Sequence, residues 1–241
     1  MASKTVVLVP GGFLGPWIWE GVQALLQVAG LDTVGVALAS VPQHNGQAAG
    51  DFADDAATVR GVLDRLESPA IVCGHSYGGA VITEATAGPH PAVERLVYLA
   101  GAAPDEGECL IDLAPVSNRP AGGPEGDTDA AEQVVVRPDG TIELTAESAI
   151  AGLFNDCSNE AAEQAAARLR PMNPVVNSQA VTAAGWRQLP TSYVRCLNDQ
   201  LPELLSAEFL PLVEDVAELP TGHCPQWSRP DLVASLLLER A

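Results

Sequence analysis

The chain has 241 residues, of which 47% are hydrophobic, so it is long enough and apolar enough to bury a core. This composition excludes wholesale disorder, and the scarcity of aromatic residues, at 5%, indicates a core built mainly from Val, Leu and Ala. Lys and Arg number 12 against 31 Asp and Glu, which gives a formal net charge of −19. An acidic surface of this kind repels phosphate backbones and anionic lipid headgroups, so we expect neither a nucleic-acid nor a membrane partner.

Five scattered cysteines, odd in number and without CxxC spacing, argue against both a disulfide framework and a zinc site. The first apolar run, Thr5–Val9, is too short for the core of a signal peptide. No later run approaches the roughly 18 apolar residues of a membrane span. We therefore expect a soluble, cytoplasmic protein without a metal centre.

The N-terminal part of the chain alternates between short runs of apolar and β-branched residues and segments with apolar residues at helical spacing. The runs predict strands at Thr5–Val9, Thr33–Leu38, Ala70–Cys73 and Leu96–Ala100, separated by helices at Trp17–Ala29, 51–67 and Tyr77–Thr86. This alternation predicts a parallel, doubly wound sheet with helices on both faces.

The alternation lapses between about Gly101 and Leu189, where the sequence is rich in Gly, Pro and acidic residues. Within this stretch we predict a hairpin of Gln133–Val136 with Thr141–Leu144 and an Ala-rich helix at Asn159–Leu169. The pattern then resumes with strands at Ser192–Cys196 and Asp215–Leu219 and helices at about Pro202–Leu210 and Asp231–Arg240. We interpret residues 1–241 as one α/β domain with a cap or lid inserted at about 101–189.

The string Gly74-His75-Ser76-Tyr77-Gly78 matches the G-x-S-x-G pattern and lies between a predicted buried strand and a predicted helix. A sharp turn in that context lifts the Ser76 hydroxyl out of the sheet, and the two glycines avoid clashes within the turn. The helix that follows directs its positive end and the Tyr77 backbone N–H towards an oxyanion formed there. Ser76 is therefore the candidate nucleophile, and the alternative is an ordinary glycine-rich turn with Ser76 as a helix cap.

A serine nucleophile requires a base, and the chain has four histidines. His75 is adjacent to Ser76 on a sharp turn and points away from it. His90 lies between prolines, and His44 follows the second strand near the expected mouth of the site. His223 follows the last strand and so lies at the carboxyl edge of the sheet, where open α/β sheets bind their ligands. We predict His223 as the base.

The acid that orients this histidine has two candidates, each in the loop after a predicted strand. Asp199 follows the strand Ser192–Cys196 and fits the chain order Ser, Asp or Glu, His that is typical of this fold class. Asp105 follows the strand Leu96–Ala100 and can also reach the carboxyl edge of the sheet. The sequence favours Asp199 and leaves Asp105 as the alternative.

The loop after the first strand, PGGFLGPWIW, has glycines that let backbone N–H groups approach a ligand closely. A dinucleotide-binding turn is the rival interpretation, because Gly11, Gly12 and Gly15 follow a strand. Their spacing is not G-x-G-x-x-G, however, and no acidic residue ends the second strand to hold a ribose. We therefore expect no NAD, and no other organic cofactor or metal.

Six segments carry a resemblance to known proteins: VLVPGGFLGPWIW, VCGHSYGGAV, LVYLAGAAPDEGE, LFNDC, SYVRCLNDQ and TGHCPQWSRPDLVASLL. They resemble the α/β-hydrolase superfamily, in particular the branch of plant methylesterases and hydroxynitrile lyases with their bacterial esterase relatives. The resemblance implies Ser76 as nucleophile, Asp199 as acid and His223 as base. It also implies that the backbone N–H groups of Gly12 and Tyr77 form the oxyanion hole.

Two chemistries occur in that branch, and two positions discriminate between them. Hydroxynitrile lyases of this type carry a threonine in the oxyanion loop and, directly after the catalytic histidine, a lysine that holds the cyanide charge. Here these positions are Gly11 and Cys224. Without a cation beside His223, cyanide lacks its electrostatic partner, so the sequence favours an esterase. The loop also begins with Pro10 where the family usually has a histidine.

We therefore expect a serine hydrolase that cleaves a small to medium, largely apolar carboxylic ester through an acyl-enzyme on Ser76. The expected partners are the ester and water, and the oligomeric state, monomer or homodimer, stays open. A lyase-type reaction on the same triad and a receptor that only binds its ligand are the alternatives. The residues predicted to line an apolar pocket are Leu14, Trp17, Leu153, Phe154 and Trp186, although core packing is the more common role for each of them singly.

Overall fold

The computed structural model describes residues 4–44, 46–88, 90–114 and 134–241. Its strands are β1 (Thr5–Val9), β2 (Asp32–Gly35), β3 (Ala70–His75), β4 (Val93–Leu99), β5 (Val134–Val136), β6 (Ile142–Leu144), β7 (Thr191–Cys196) and β8 (Asp215–Leu219). Its helices are α1 (Glu20–Val28), α2 (Phe52–Leu63), α3 (Tyr77–Ala85), α4 (Leu110–Leu113), α5 (Ala146–Gly152), α6 (Asn159–Ala166), α7 (Pro225–Ser228) and α8 (Pro230–Glu239). None of the helices in these ranges is long and apolar enough to cross a membrane.

Six strands form the central sheet in the order β2-β1-β3-β4-β7-β8, and every neighbouring pair is parallel. The strand order reverses at β1, which lies between β2 and β3. At such a switch point the loops diverge and leave a crevice outside the carboxyl ends of the strands. The predicted doubly wound α/β fold is confirmed, and the sequence patterns identify all six strands of this sheet.

Helices cover both faces of the sheet, and β1 shows how the sequence achieves this. Val6 and Leu8 pack in the cluster that contains α1 and α8, whereas Val7 and Val9 pack in the cluster that contains α2 and α3. All four side chains are buried, which explains why this strand has a continuous apolar run rather than an alternating pattern.

A capping box defines the start of α2. The Asp51 carboxylate accepts the N–H of Asp54 at 3.1 Å, and the Asp54 carboxylate accepts the N–H of Asp51 at 3.0 Å. These reciprocal bonds satisfy donors that are otherwise unpaired at a helix start. The observed helix ends four residues before the predicted one, because α2 stops at Leu63 and tight turns follow it.

The helix predicted at about Pro202–Leu210 is wrong. Ala103, in the loop after β4, donates its N–H to Leu204 O at 2.9 Å and accepts the N–H of Ser206 at 3.0 Å. Since these backbone groups pair across the molecule, they are not available for helical hydrogen bonds. Only a short 3-10 turn, Leu210–Leu212, forms at the end of the segment.

The predicted insertion lies between β4 and β7. Its hairpin is antiparallel β5–β6, with Val136 opposite Ile142; the first residue of the predicted hairpin, Gln133, lies outside the described residues. The backbone of Met172 exchanges two hydrogen bonds of 2.9 Å with Ile142. The segment around Met172 is thereby hydrogen-bonded to the hairpin.

Candidate active site

Ser76 lies in a strained turn between β3 and α3. Its backbone φ is 52° and ψ is −126°, a conformation that residues with a Cβ rarely adopt outside functional sites. Close packing requires glycine around it, since a Cβ at Gly78 would lie 2.5 Å from the carbonyl oxygen of Pro10, and one at Gly74 would lie 2.5 Å from Gly78 O. The G-x-S-x-G motif therefore forms a sharp elbow that holds Ser76 at the carboxyl end of β3.

Asp199 and His223 are hydrogen-bonded to each other at the same edge of the sheet. They follow the neighbouring parallel strands β7 and β8. Asp199 Oδ2 lies 2.7 Å from His223 Nδ1, while Asp199 Oδ1 accepts the N–H of Leu201 at 2.8 Å. His223 Nε2 is buried and makes no hydrogen bond to the part of the chain that the structure describes. With Nδ1–H donated to the carboxylate, Nε2 has the free lone pair that a general base requires.

His75 packs against His223 and supports it. Its Nε2 lies 2.8 Å from the carbonyl oxygen of His223, and the centroids of the two rings are 4.9 Å apart. Burial lowers the pKa of His75, and the nearby His223 acts in the same direction, so its neutral ring donates Nε2–H to that carbonyl. His90 pairs with Asp64 at 3.0 Å, just before the start of β4 and thus at the amino edge of the sheet.

Asp105, the alternative acid, is engaged by a cation. Arg187 Nε donates to Asp105 Oδ1 at 2.7 Å, and Arg187 Nη2 contacts the other carboxylate oxygen. These hydrogen bonds hold the pKa of Asp105 below its usual value. The structure therefore joins Asp105 to the end of the insertion, and it joins Asp199 to His223.

The loop after β1 lies directly against Ser76, the candidate nucleophile. A Cβ at Gly11 would lie 2.9 Å from Ser76 Cβ, so the absence of a side chain allows this approach. Phe13 has a φ of 63°, which turns the loop sharply. Gly12 lies within this turn, and Tyr77 begins α3 immediately after the nucleophile. The two segments expected to supply oxyanion donors are thus both beside Ser76.

Met172, which is not among the predicted site residues, covers that loop. Its Sδ is 2.7 Å from the position that a Cβ on Gly12 would occupy. Nearby, Arg170 donates its N–H to Phe13 O at 2.9 Å. The insertion is therefore bonded to the loop after β1. These contacts join residues that are far apart in sequence, and no local pattern around Met172 indicates them.

A second group of contacts that the sequence does not predict ties the insertion to the loops of the candidate acid and the candidate base. Asn155 Nδ2 donates to Asn198 O at 2.9 Å. Asp156 Oδ2 accepts the N–H of Gly222 at 2.7 Å and the hydroxyl of Ser228 at 2.8 Å. Asn198 and Gly222 directly precede Asp199 and His223 in the chain. We call Asn155 and Asp156 the latch.

Four of the five residues predicted to line a pocket lie on one side of the sheet. Leu14, Leu153 and Phe154 are buried together in the cluster on the α1 and α8 face. Trp17 lies at the border of this cluster, where its ring packs edge-on against Trp227 with centroids 5.5 Å apart. All four therefore belong to one apolar cluster or to its border.

Trp186 belongs to the cluster on the opposite face. Its ring packs edge-on against Phe209 with centroids 5.3 Å apart, and its Nε1 donates to Pro104 O at 2.9 Å. The guanidinium of Arg187 lies 4.7 Å from the ring centroid. The structure therefore does not bring Trp186 together with the other four predicted pocket residues.

Cys224, directly after His223, is fully buried, with its Sγ 3.9 Å from His75 Nε2. Burial raises the pKa of this thiol well above its usual value, so it remains neutral. The position beside the candidate base is thus uncharged. In the described ranges no group of three His, Cys, Asp or Glu side chains could hold a metal ion.

The family model of the alpha/beta hydrolases matches residues 6–236. The chain therefore belongs to the alpha/beta hydrolase family, and its similarity to a methylesterase supports the predicted methylesterase-like branch.

Similar proteins span the whole chain. A probable hydrolase, R7, of Phoma sp. (strain ATCC 20986 / MF5453) is 28% identical over 100% of this chain and 99% of its own length. The putative chloroplastic methylesterase 11 of Arabidopsis thaliana is 26% identical over 100% of this chain and 65% of its own. The crystal structure of a pyrethroid hydrolase from Sphingobium faniae JZ-2 matches with a TM-score of 0.79 at 20% identity, covering 99% of this chain and 97% of the other. This structural likeness shows the shared fold.

Proposed function

We propose that this protein is a serine esterase that hydrolyses a small to medium, largely apolar carboxylic ester. The observation that carries the proposal is the 2.7 Å hydrogen bond between Asp199 and His223, which leaves His223 Nε2 free at the sheet edge where the elbow holds Ser76. Membership of the alpha/beta hydrolase family and similarity to proteins named as a hydrolase and a methylesterase support the same class of reaction.

The proposed reaction passes through a covalent intermediate. His223 Nε2 accepts the hydroxyl proton of Ser76 as Oγ attacks the ester carbonyl, and Asp199 stabilises the imidazolium through Nδ1–H. The imidazolium gives this proton to the leaving alcohol as the tetrahedral intermediate collapses to the acyl-enzyme. A water that loses its proton to His223 then attacks the acyl-enzyme, and collapse of the second intermediate releases the acid and returns the proton to Ser76.

Backbone N–H groups of Gly12 and Tyr77 are the proposed oxyanion donors. Gly12 lies in the loop that packs against Ser76, and Tyr77 is the first residue of α3, so the positive end of that helix adds to the field at the oxyanion. Each donor of this kind typically contributes about 3–4 kcal/mol of transition-state stabilisation.

The proposed substrate is uncharged on both sides of the ester bond. Arg187 is paired with Asp105, and Cys224 is neutral beside the base, so neither supplies a free cation for an anionic substrate or for cyanide. The net charge of −19 further disfavours anions. The apolar cluster that contains Leu14 and Phe154 would suit an alkyl or aryl group of the ester. Of the similar proteins, one is named as a pyrethroid hydrolase and another as a putative methylesterase.

The test compares the wild type with Ser76→Ala on p-nitrophenyl acetate, butyrate and octanoate. Ser178→Ala is the matched control, since Ser178 is exposed and only bonds its own turn. We expect turnover in the wild type and the control, loss of turnover by at least about 10³-fold in Ser76→Ala, and covalent labelling of Ser76 by a fluorophosphonate. Equal turnover by folded Ser76→Ala would reject the acyl-enzyme. The dependence of turnover on the length of the acyl chain indicates the size of the pocket.

A further inference from the structure

A buried carboxylate lies beside the elbow and takes no part in the proposed proton transfers. Asp55, on α2, is 0% exposed. Its Oδ2 accepts the hydroxyl of Tyr77 at 2.6 Å, and its Oδ1 accepts the N–H of Ser40 at 2.8 Å. Both partners are neutral donors, and none of the ion pairs among the described residues includes Asp55.

Burying this carboxylate in the core costs free energy. Burial raises the pKa of Asp55, which reflects the cost of holding its charge away from water without a cation. An apolar side chain of similar size would avoid that cost, because removing both partners of a buried polar contact is often neutral or stabilising. Its bond to Tyr77, the residue that follows Ser76, therefore indicates a functional reason.

The first of its two bonds reaches one oxyanion donor directly. Tyr77 follows Ser76, and its side chain is buried between α2 and α3, with its ring centroid 6.3 Å from that of Phe52. Burial raises the pKa of Tyr77, so the hydroxyl keeps its proton and remains a donor to Asp55. Because the far end of the side chain is held, the peptide N–H at its near end has little freedom to turn away from Ser76.

The second bond reaches the other donor through three residues. Ser40, whose N–H is bound by Asp55, accepts the N–H of Asn173 on its own carbonyl at 2.9 Å. Asn173 is preceded by Met172, whose sulfur packs against the backbone of Gly12. One carboxylate is thus connected to both sides of the oxyanion hole.

We propose that Asp55 is a positioning residue that holds the two oxyanion donors in register, Tyr77 directly and Gly12 through Ser40 and Met172–Asn173. This proposal rests on the proposed esterase function. The two N–H groups must converge on one oxygen that carries its full charge only in the transition state. Loosening either arm therefore lowers kcat and leaves KM almost unchanged, since the ground-state ester needs these donors less.

The test uses Tyr77→Phe, Asp55→Asn and the double variant. Tyr77→Phe removes one oxygen and keeps the ring and the backbone N–H. The matched control is Tyr98→Phe, which also removes a fully buried hydroxyl, one that bonds Thr83 Oγ1 at 2.8 Å. We measure kcat and KM with p-nitrophenyl butyrate per Ser76 titrated by a fluorophosphonate, together with Tm.

We expect kcat to fall about 10- to 100-fold in Tyr77→Phe and in Asp55→Asn, with KM within about threefold of wild type. The double variant should be no slower than the slower single variant, because the direct action of Asp55 on Tyr77 passes through the hydroxyl that Tyr77→Phe removes. Tyr98→Phe should have a lower Tm than the wild type and an unchanged kcat.

Wild-type kcat in Tyr77→Phe, or a loss of the same size in Tyr98→Phe, would overturn the positioning role. If Asp55→Asn does not fold, Tyr77→Phe decides. A wild type whose turnover survives Ser76→Ala would reject the esterase proposal itself, which is a different result from a Ser76-dependent enzyme indifferent to Tyr77→Phe.

Discussion

The loops after β4 and β7 leave the sheet side by side, and each carries an aspartate near its carboxyl edge. Asp199 is bonded to His223, a ring that can gain and lose a proton, whereas Asp105 is bonded to Arg187, which stays charged. A position at this edge is therefore not enough to identify a catalytic acid. Because the guanidinium of Arg187 contacts both carboxylate oxygens of Asp105, we assign Asp105 a structural role.

Neutralising each carboxylate in turn should distinguish the two aspartates most clearly. We expect Asp199→Asn to lower kcat by about 10³–10⁴-fold with the fold intact, because an amide no longer fixes the tautomer of His223 or stabilises its imidazolium. Asp105→Asn should stay within about twofold of wild type. Steady-state kinetics on p-nitrophenyl butyrate, with circular dichroism to confirm folding, measure both. The reverse ranking would transfer the acid role to Asp105.

The latch should have an intermediate effect, because it holds the loops of the acid and the base without touching the reacting atoms. We expect Asp156→Ala to lower kcat/KM roughly tenfold by releasing the Gly222 N–H and the Ser228 hydroxyl. The matched control is Asp139→Ala, since Asp139 also lies in the insertion and accepts an N–H and a hydroxyl, both from Thr141.

Kinetics of Asp156→Ala and Asp139→Ala are normalised to the concentration of labelled Ser76. They distinguish a specific effect of the latch on the acid and base loops from a general effect of disturbing the insertion. Unchanged kcat/KM in Asp156→Ala would show that the acid and base loops hold their geometry without the latch. An equal loss in Asp139→Ala would mean that any disturbance of the insertion lowers activity, and the latch would have no special part.

Much of this arrangement could be predicted from the sequence because it depends on local signals. The six strands follow from short apolar runs, and the elbow follows from two glycines around Ser76 between a strand and a helix. The position of His223 follows from topology, since the carboxyl ends of parallel strands share one edge.

Contacts between distant segments could not be predicted in this way. Chain order favours Asp199 over Asp105, but the pairing of Asp105 with Arg187, at the end of a long insertion, is visible only in the structure. Asp55 resembles an ordinary acidic residue in the first turn of a helix, and only packing shows that it is buried. The packing of Trp186 on the face opposite the other four predicted pocket residues could not be predicted for a similar reason, because composition does not say which face of the sheet an aromatic ring will cover.

The Asp105–Arg187 pair links the two ends of the insertion, and we expect it to make a small contribution to the stability of the fold. Because Arg187 lowers the pKa of Asp105 in the folded protein, the pair stabilises the fold above the ordinary aspartate pKa of about 3.8, and this contribution is lost as the pH falls through the lower, folded value. Urea unfolding should therefore show Asp105→Asn less stable than the wild type at pH 7, with the difference shrinking below about pH 4. Arg187→Gln should reproduce this behaviour, and the double variant should add little to either single change. A difference independent of pH would mean that Asp105 stabilises the loop through its shape and local hydrogen bonds, and the contrast with Asp199 would then no longer depend on the guanidinium.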